Sequence, residues 1–223
     1  MLAEKLTQVG CRIIQANTDG LFVLLKKDNY QQVNTICRNW EQLTKLTLEE
    51  ERFEAMYQYA INDYIAVREG YKETKNPNLI KTKGMFITKV LLGKGLSAKI
   101  IPEAIIKYFV DGIPVEQTIK ECKDIKKFLM SEKTGKQWHV EYMNKEQQRT
   151  NRFYASTNGG YLWKWKDNNG VQAYQNMLSS SGVTLLNKFD DKPIEERKIN
   201  YRYYLREALK IIEELQPRQL ELF

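Results

Sequence analysis

The chain has 223 residues, 42% hydrophobic and 28% charged, with a formal net charge of +7. That composition leaves ample material for a packed core and excludes a disordered chain; the lack of a long apolar run also excludes a membrane-spanning helix. Three distant cysteines (Cys11, Cys37, Cys122) make no disulfide framework, and a single histidine, His139, leaves little from which to build a zinc site or a Ser-His-Asp triad. The N-terminus is polar and mixed in charge and does not read as a signal peptide. The expectation is a soluble, intracellular, basic protein whose chemistry relies on carboxylates, lysines and backbone.

In chain order, residues 9–16 and 21–27 read as two strands joined by Asn17-Thr18-Asp19-Gly20, a polar connection with turn composition. Near-continuous apolar residues on the second strand predict a hairpin buried on at least one face. Residues 29–44 carry apolar side chains at helical spacing (Tyr30, Val33, Ile36, Cys37, Trp40, Leu43), with Asp28 placed to cap them. From Leu46 to about Phe86 the pattern turns to short β-like pieces. Leu46 to Glu49 alternates, and Ile61–Val67 and Leu79–Phe86 flank a turn-rich stretch at Asn76-Pro77-Asn78, which predicts a hairpin with a long loop. Pro102 suits the first turn of a helix over 102–111, and a second, amphipathic helix is predicted from Val115 to about Glu132. Residues 136–190 read as irregular, with strand-like pieces at 152–156, 161–165 and 183–187, before a last helix from Tyr201 to Leu215.

Three features carry potential chemistry. A carboxylate at the hairpin tip, Asp19, would be held rigidly with its oxygens facing outward, as a magnesium ligand must be. Between Glu73 and Glu103 no acidic residue occurs, yet Lys75, Lys81, Lys83, Lys89, Lys94 and Lys99 all fall there with Gly84, Gly93 and Gly95 among them. Lysines neutralise phosphates and small residues let a polyanion approach closely, so this stretch is a candidate nucleic-acid surface. Beyond Pro217, the closing Gln219-Leu220-Glu221-Leu222-Phe223 ends on two large apolar residues, which a partner groove would receive.

Together these residues resemble family B DNA polymerases in the divergent form met in phage enzymes. Ile13 to Val23, with Asn17-Thr18-Asp19-Gly20 at its centre, is similar to the family's third catalytic motif, usually Asp-Thr-Asp on a palm hairpin. The subsequent order also matches: a helix, then Leu46 to Glu51, Tyr57, Asn62-Asp63-Tyr64-Ile65-Ala66-Val67, and Lys81-Thr82-Lys83-Gly84, which resembles the family's Lys-Gly element. The last five residues resemble the bacterial sliding-clamp binding peptide, whose four specified positions (Gln219, Leu220, Leu222, Phe223) would match by chance at a given site roughly once in tens of thousands.

The resemblance implies an α+β fold: a palm β-hairpin packed with a helix, followed by a mainly helical thumb-like region. It divides the chain into a palm-like part (1–88), a helical thumb-like segment (89–135), an α+β thumb extension (136–215) and a clamp-binding tail (216–223). It implies two-metal nucleotidyl transfer on Mg2+, with Asp19 as metal ligand and Asn17 beside it. It also implies primer–template DNA held by Tyr64, Lys75, Lys81, Lys83, Lys89, Lys94 and Lys99, and a bacterial or phage sliding clamp as partner.

Departures are equally informative. Asn17 stands where the family has its first aspartate, and Asn62-Asp63 replaces a lysine pair that grips the primer–template minor groove. The family's other palm aspartate, its triphosphate-binding finger lysine and its proofreading exonuclease precede the hairpin, and no Asp-x-x-Ser-Leu-Tyr or Lys-x-x-x-Asn-Ser sequence occurs in the chain. The expectation is a C-terminal part or split subunit, completed by an upstream chain in the cytoplasm of a phage-infected bacterium. A non-catalytic DNA- or clamp-associated accessory protein on the same scaffold is the alternative.

Overall fold

The computed structural model describes residues 1–18, 20–84, 91–92, 95–96 and 98–215. They form an α+β protein with two compact units, residues 1–52 and 53–223.

The first unit opens with helix α1 (Leu2–Gln8), which the sequence reading did not anticipate, and continues into the expected hairpin of β1 (Arg12–Ala16) and β2 (Leu21–Leu24). Helix α2 (Tyr30–Thr44) follows a 3-10 turn over Lys27–Asn29, so Asp28 sits inside that turn and makes no cap hydrogen bond. The Asn29 amide instead donates to Val9 O at 2.9 Å and ties the start of α2 to the end of α1. A small core of Leu6, Cys11 and Val33, flanked by Ile13, Leu21, Val23 and Ile36, fills the space between the helices and one face of the hairpin. This is the one-sided burial that the apolar pattern of β2 predicts.

After α2, Lys45 adopts a left-handed conformation (φ 62°) and the chain leaves helical geometry. Leu46 to Glu49, expected as alternating β structure, form no strand. Their backbone is satisfied from a side chain: Leu48 N–H donates to Glu41 Oε1 at 2.7 Å. That bond, with a further one from Arg38, holds the Glu41 carboxyl below its usual range.

The second unit starts with an antiparallel meander of β3 (Phe53–Ala60), β4 (Asp63–Arg68) and β5 (Ile80–Lys83). Its β4–β5 pairing matches the predicted hairpin; the intervening loop holds a short helix α3 (Tyr71–Thr74) and a 3-10 turn at Pro77–Leu79. Two-residue strands β6 (Leu91–Leu92) and β7 (Gly95–Leu96) precede helix α4 (Ile100–Asp111), which begins two residues before the expected Pro102, and helix α5 (Val115–Glu121).

Here the structure departs from the predicted long helix over 115–132. Cys122 turns extended, and the Asp124 side chain accepts from Lys126 N–H at 2.9 Å, which starts a 3-10 turn. Residues 130–133 then become strand β8 (Met130–Lys133) because β11 (Thr150–Gly160) pairs with them. Helical periodicity there was outweighed by a sheet partner distant in sequence.

Residues 136–190, expected to be mostly irregular, instead hold about half of the strand residues described. Strands β9 (His139–Tyr142), β10 (Lys145–Gln147), β12 (Leu162–Asn168) and β13 (Val171–Asn176) form a four-stranded antiparallel sheet ordered β10-β9-β12-β13. With β14 (Val183–Leu185), strands β11, β8, β7 and β6 form a second sheet ordered β14-β11-β8-β7-β6. Helix α6 (Tyr201–Leu215) lies where the apolar periodicity places it, and Asn200 Oδ1 accepts from Tyr203 N–H at 3.2 Å as its N-cap.

One continuous core runs through the second unit from β4 to α6. Ile65 of β4, Ile100, Ala104 and Ile105 of α4, Ile119 of α5, Phe128, Phe153, Tyr154, Leu162, and Tyr204, Ala208, Ile212 and Leu215 of α6 belong to a single buried cluster. The boundaries expected near residues 88 and 135 fall inside this unit. None of the described helices is long and apolar enough to cross a membrane.

Candidate functional site

The hairpin tip is built from both ends. Cα partners run Arg12–Leu24, Ile13–Val23, then Gln15–Phe22 and Ala16–Leu21, so Ile14 is an extra residue in a β-bulge. A bulge raises local twist and re-aims the residues beyond it. Gln15 is consequently buried (6% exposed) while Ile14 faces outward. Past the last pair, Asn17 N–H donates to Gly20 O at 3.0 Å, and Gly20 N–H donates to Asn17 Oδ1 at 2.9 Å. The two bonds close the turn from both sides, so the Asn17 amide oxygen is engaged in shaping the tip. Asn17 and Thr18 are exposed, and Asp19 itself lies outside the described residues.

The magnesium that the resemblance implies takes six oxygen ligands in near-octahedral geometry. This chain offers one carboxylate at the tip by sequence, Asp19, beside an amide oxygen already accepting a hydrogen bond. Among the described residues no group of three His, Cys, Asp or Glu side chains is placed to hold a metal ion. The donor set fits a single ligand position of a two-metal centre and lacks the remainder.

The lysine-rich stretch divides into separate places. Lys81 and Lys83 alternate on β5 opposite Ala66 and Tyr64 of β4, so these four residues share one sheet face. The opposite face carries Ile65 and Ile80 toward the core. Lys83 is exposed and Lys81 half-buried, but Tyr64, expected as a DNA contact, is only 5% exposed. After Lys83 the chain turns at Gly84 with φ 123°, where a Cβ would lie 2.9 Å from the Asp63 Cα; only glycine permits this approach.

Lys75 sits elsewhere. Its ammonium is 2.9 Å from Asp111 Oδ1 and 5.1 Å from the Tyr71 ring centroid, and the hydrogen bond to Asp111 raises its pKa. Tyr71 also donates to Asp111, and burial pushes its phenol up, with Asp111 adding to the effect. Asp111 ends α4, whereas Lys99 precedes its first residue. Eleven helical residues separate the two, by roughly 18 Å along the axis. The four described lysines thus do not form one patch, and Lys89 and Lys94 lie outside the described residues. So do Gln219, Leu220, Leu222 and Phe223.

Asp111 is the residue that sequence reasoning missed here. It lies 36 positions from Lys75, and no local pattern announces the pairing. No model of a known protein family matches the chain, and a search of curated proteins finds no relative.

Proposed function

We propose that the chain is the C-terminal, palm-and-thumb part or split subunit of a phage-type DNA-directed DNA polymerase, a nucleotidyltransferase that works in the cytoplasm of the infected bacterium. The observation that carries this reading is the hairpin. A bulged β1–β2 pair closes on a four-residue turn whose third position is Asp19, and the Tyr64 and Lys81-Thr82-Lys83-Gly84 elements follow in the family's order on adjacent, paired strands. The closing Gln-Leu-Glu-Leu-Phe supports a clamp partner, because a tether raises local concentration without adding contacts at the reacting atoms.

In this reading Asp19 holds one metal position and Asn17 sets the turn that aims it. Mg2+ would supply charge stabilisation at the attacking 3′-hydroxyl and at the pyrophosphate leaving group. Carboxylates from the upstream polymerase chain would complete the set. Lys81 and Lys83 supply phosphate contacts from one strand, while Lys75 and Lys99 mark the two ends of α4.

Primer extension is the test. The purified chain alone should show none. With a protein supplying the finger lysine and the second palm aspartate, extension should appear and Asp19→Ala should abolish it; extension by the chain alone, or an unaffected Asp19→Ala rate, overturns the reading. Duplex affinity should fall steeply with salt, and Lys81→Ala with Lys83→Ala should reduce the logarithmic salt slope by about 2. An unchanged slope would remove both lysines from the phosphate contacts.

The alternative, an accessory protein that binds DNA or the clamp without catalysis, is favoured by one observation. An amide oxygen accepting from Gly20 stands where the family has a carboxylate. Duplex and clamp binding with no extension under any supplementation would establish it.

A further inference from the structure

The four-stranded sheet sorts its side chains sharply. Leu162, Val140 and Tyr142 face the core of the second unit. Lys164 and Lys166 alternate to this same side, where their ammonium groups lie 5.7 and 5.3 Å from the Trp138 ring centroid and Lys164 meets Glu132 at 2.7 Å. The other side is a row of rings: His139 stacks on Trp165 at 4.4 Å and 19°, Trp165 lies 6.1 Å from Tyr174, and Tyr161 lies 6.4 Å from Trp163. Trp163, Tyr161 and Tyr174 are 36%, 52% and 53% exposed.

The charges on that outer face have one sign. Register sets Glu146 directly opposite Glu141, and Glu141 directly opposite Trp163. Asp167 shares the face farther along β12, where it also accepts from Gly170 N–H. His139 Nδ1 lies 3.2 Å from Glu146. Among the residues these strands turn to this face there is no lysine or arginine. Two carboxylates facing each other across adjacent strands repel, and exposed indole faces attract cations. A nucleic acid would meet the wrong charge here, even though the rings suit base stacking.

We propose that this face is a docking surface for a basic protein segment, whose Arg or Lys side chains stack on Trp163 and reach Glu141 and Glu146. The inference is independent of the polymerase reading and would stand if that reading failed.

A fluorescein-labelled nona-arginine peptide and a labelled oligothymidylate serve as probes against the full chain. Peptide affinity should fall about fivefold in Trp163→Ala and about tenfold in Glu141→Gln/Glu146→Gln. Oligothymidylate binding should be unchanged in both. Because relief of repulsion is what the carboxylate variant does to the free protein, its thermal midpoint should rise, whereas a purely structural role for the carboxylates would lower it. Peptide affinity equal to wild type in both variants, or a loss of oligothymidylate binding in Trp163→Ala with peptide binding intact, would overturn the proposal.

Discussion

Tyr204→Phe, the loss of one oxygen atom, is expected to lower the stability of the second unit by about 2–4 kcal/mol. The Tyr204 ring is fully buried, and its hydroxyl donates to Phe128 O and accepts from Ala155 N–H, both at 2.8 Å. One side chain of α6 thereby satisfies a carbonyl of the turn before β8 and an amide of β11. Phenylalanine fills the same space but leaves both groups buried without a partner, and each such orphan costs about 1–3 kcal/mol. Denaturant unfolding followed by far-UV circular dichroism measures the loss, and a change below about 1 kcal/mol would mean that water reaches the site.

The same tyrosine shapes the alkaline limb. Burial raises the Tyr204 phenol well above 10, and burial, with Glu207 adding to it, raises the neighbouring Tyr203 to about 12. Above pH 10 both ionise in the unfolded chain yet keep their protons in the folded one, so the unfolded state binds fewer protons and stability falls as pH rises. Together they contribute a slope averaging about 2 kcal/mol per pH unit between pH 10 and 12. Tyr204→Phe should remove about half of it.

Gly159→Ala is the second substitution with a large expected effect. A Cβ at that position would lie 2.2 Å from Val183 O and 2.4 Å from its carbonyl carbon. These are backbone atoms of the neighbouring strand and cannot swing aside. Both Ala155 and Gly160 register against Val183, so β11 bulges widely at this point and the two main chains come into direct contact. Separating them should destabilise by about 3 kcal/mol or more and disturb the β11–β14 pairing. Amide exchange should show protection lost at Val183 and Ser156 before the rest of the core, since Ser156 N–H donates to Gly182 O nearby. Wild-type stability in this variant would show that β14 can retreat freely.

Sequence reading succeeded where the deciding interactions are local. Helix α6 was legible from its own apolar stripe, and the β1–β2 hairpin from a polar turn between apolar runs. It failed where a distant partner decides. Met130–Lys133 continues a helical pattern, but its backbone is claimed by Thr150–Phe153 of β11. The strands of residues 136–176 are rich in Asn, Gln, Lys and aromatics because one side of their sheet is open, and that composition reads as loop. For the candidate site, the turn at Asn17–Gly20 was legible from its residue types. The contiguity of the lysines was not, because linear spacing does not reveal that Lys75 and Lys99 flank opposite ends of one helix. Nor does spacing reveal that Tyr64 is buried.

The single core of the second unit has a consequence for how the protein is made. Its earliest fully buried residue is Ile65 of β4, and its closing helix contributes Tyr204, Ala208, Ile212 and Leu215, so buried contacts span some 150 residues of chain. During synthesis the meander of β3, β4 and β5 emerges with its apolar face uncovered, and its cover of α4 and α6 is complete only when residue 215 has left the ribosome, while the first unit already holds its own core of Leu6, Cys11 and Val33. At about 5–20 residues per second that interval lasts on the order of ten seconds or more. Nascent chains halted before α6 should therefore be protease-sensitive beyond residue 52, and chaperone demand should concentrate in that window.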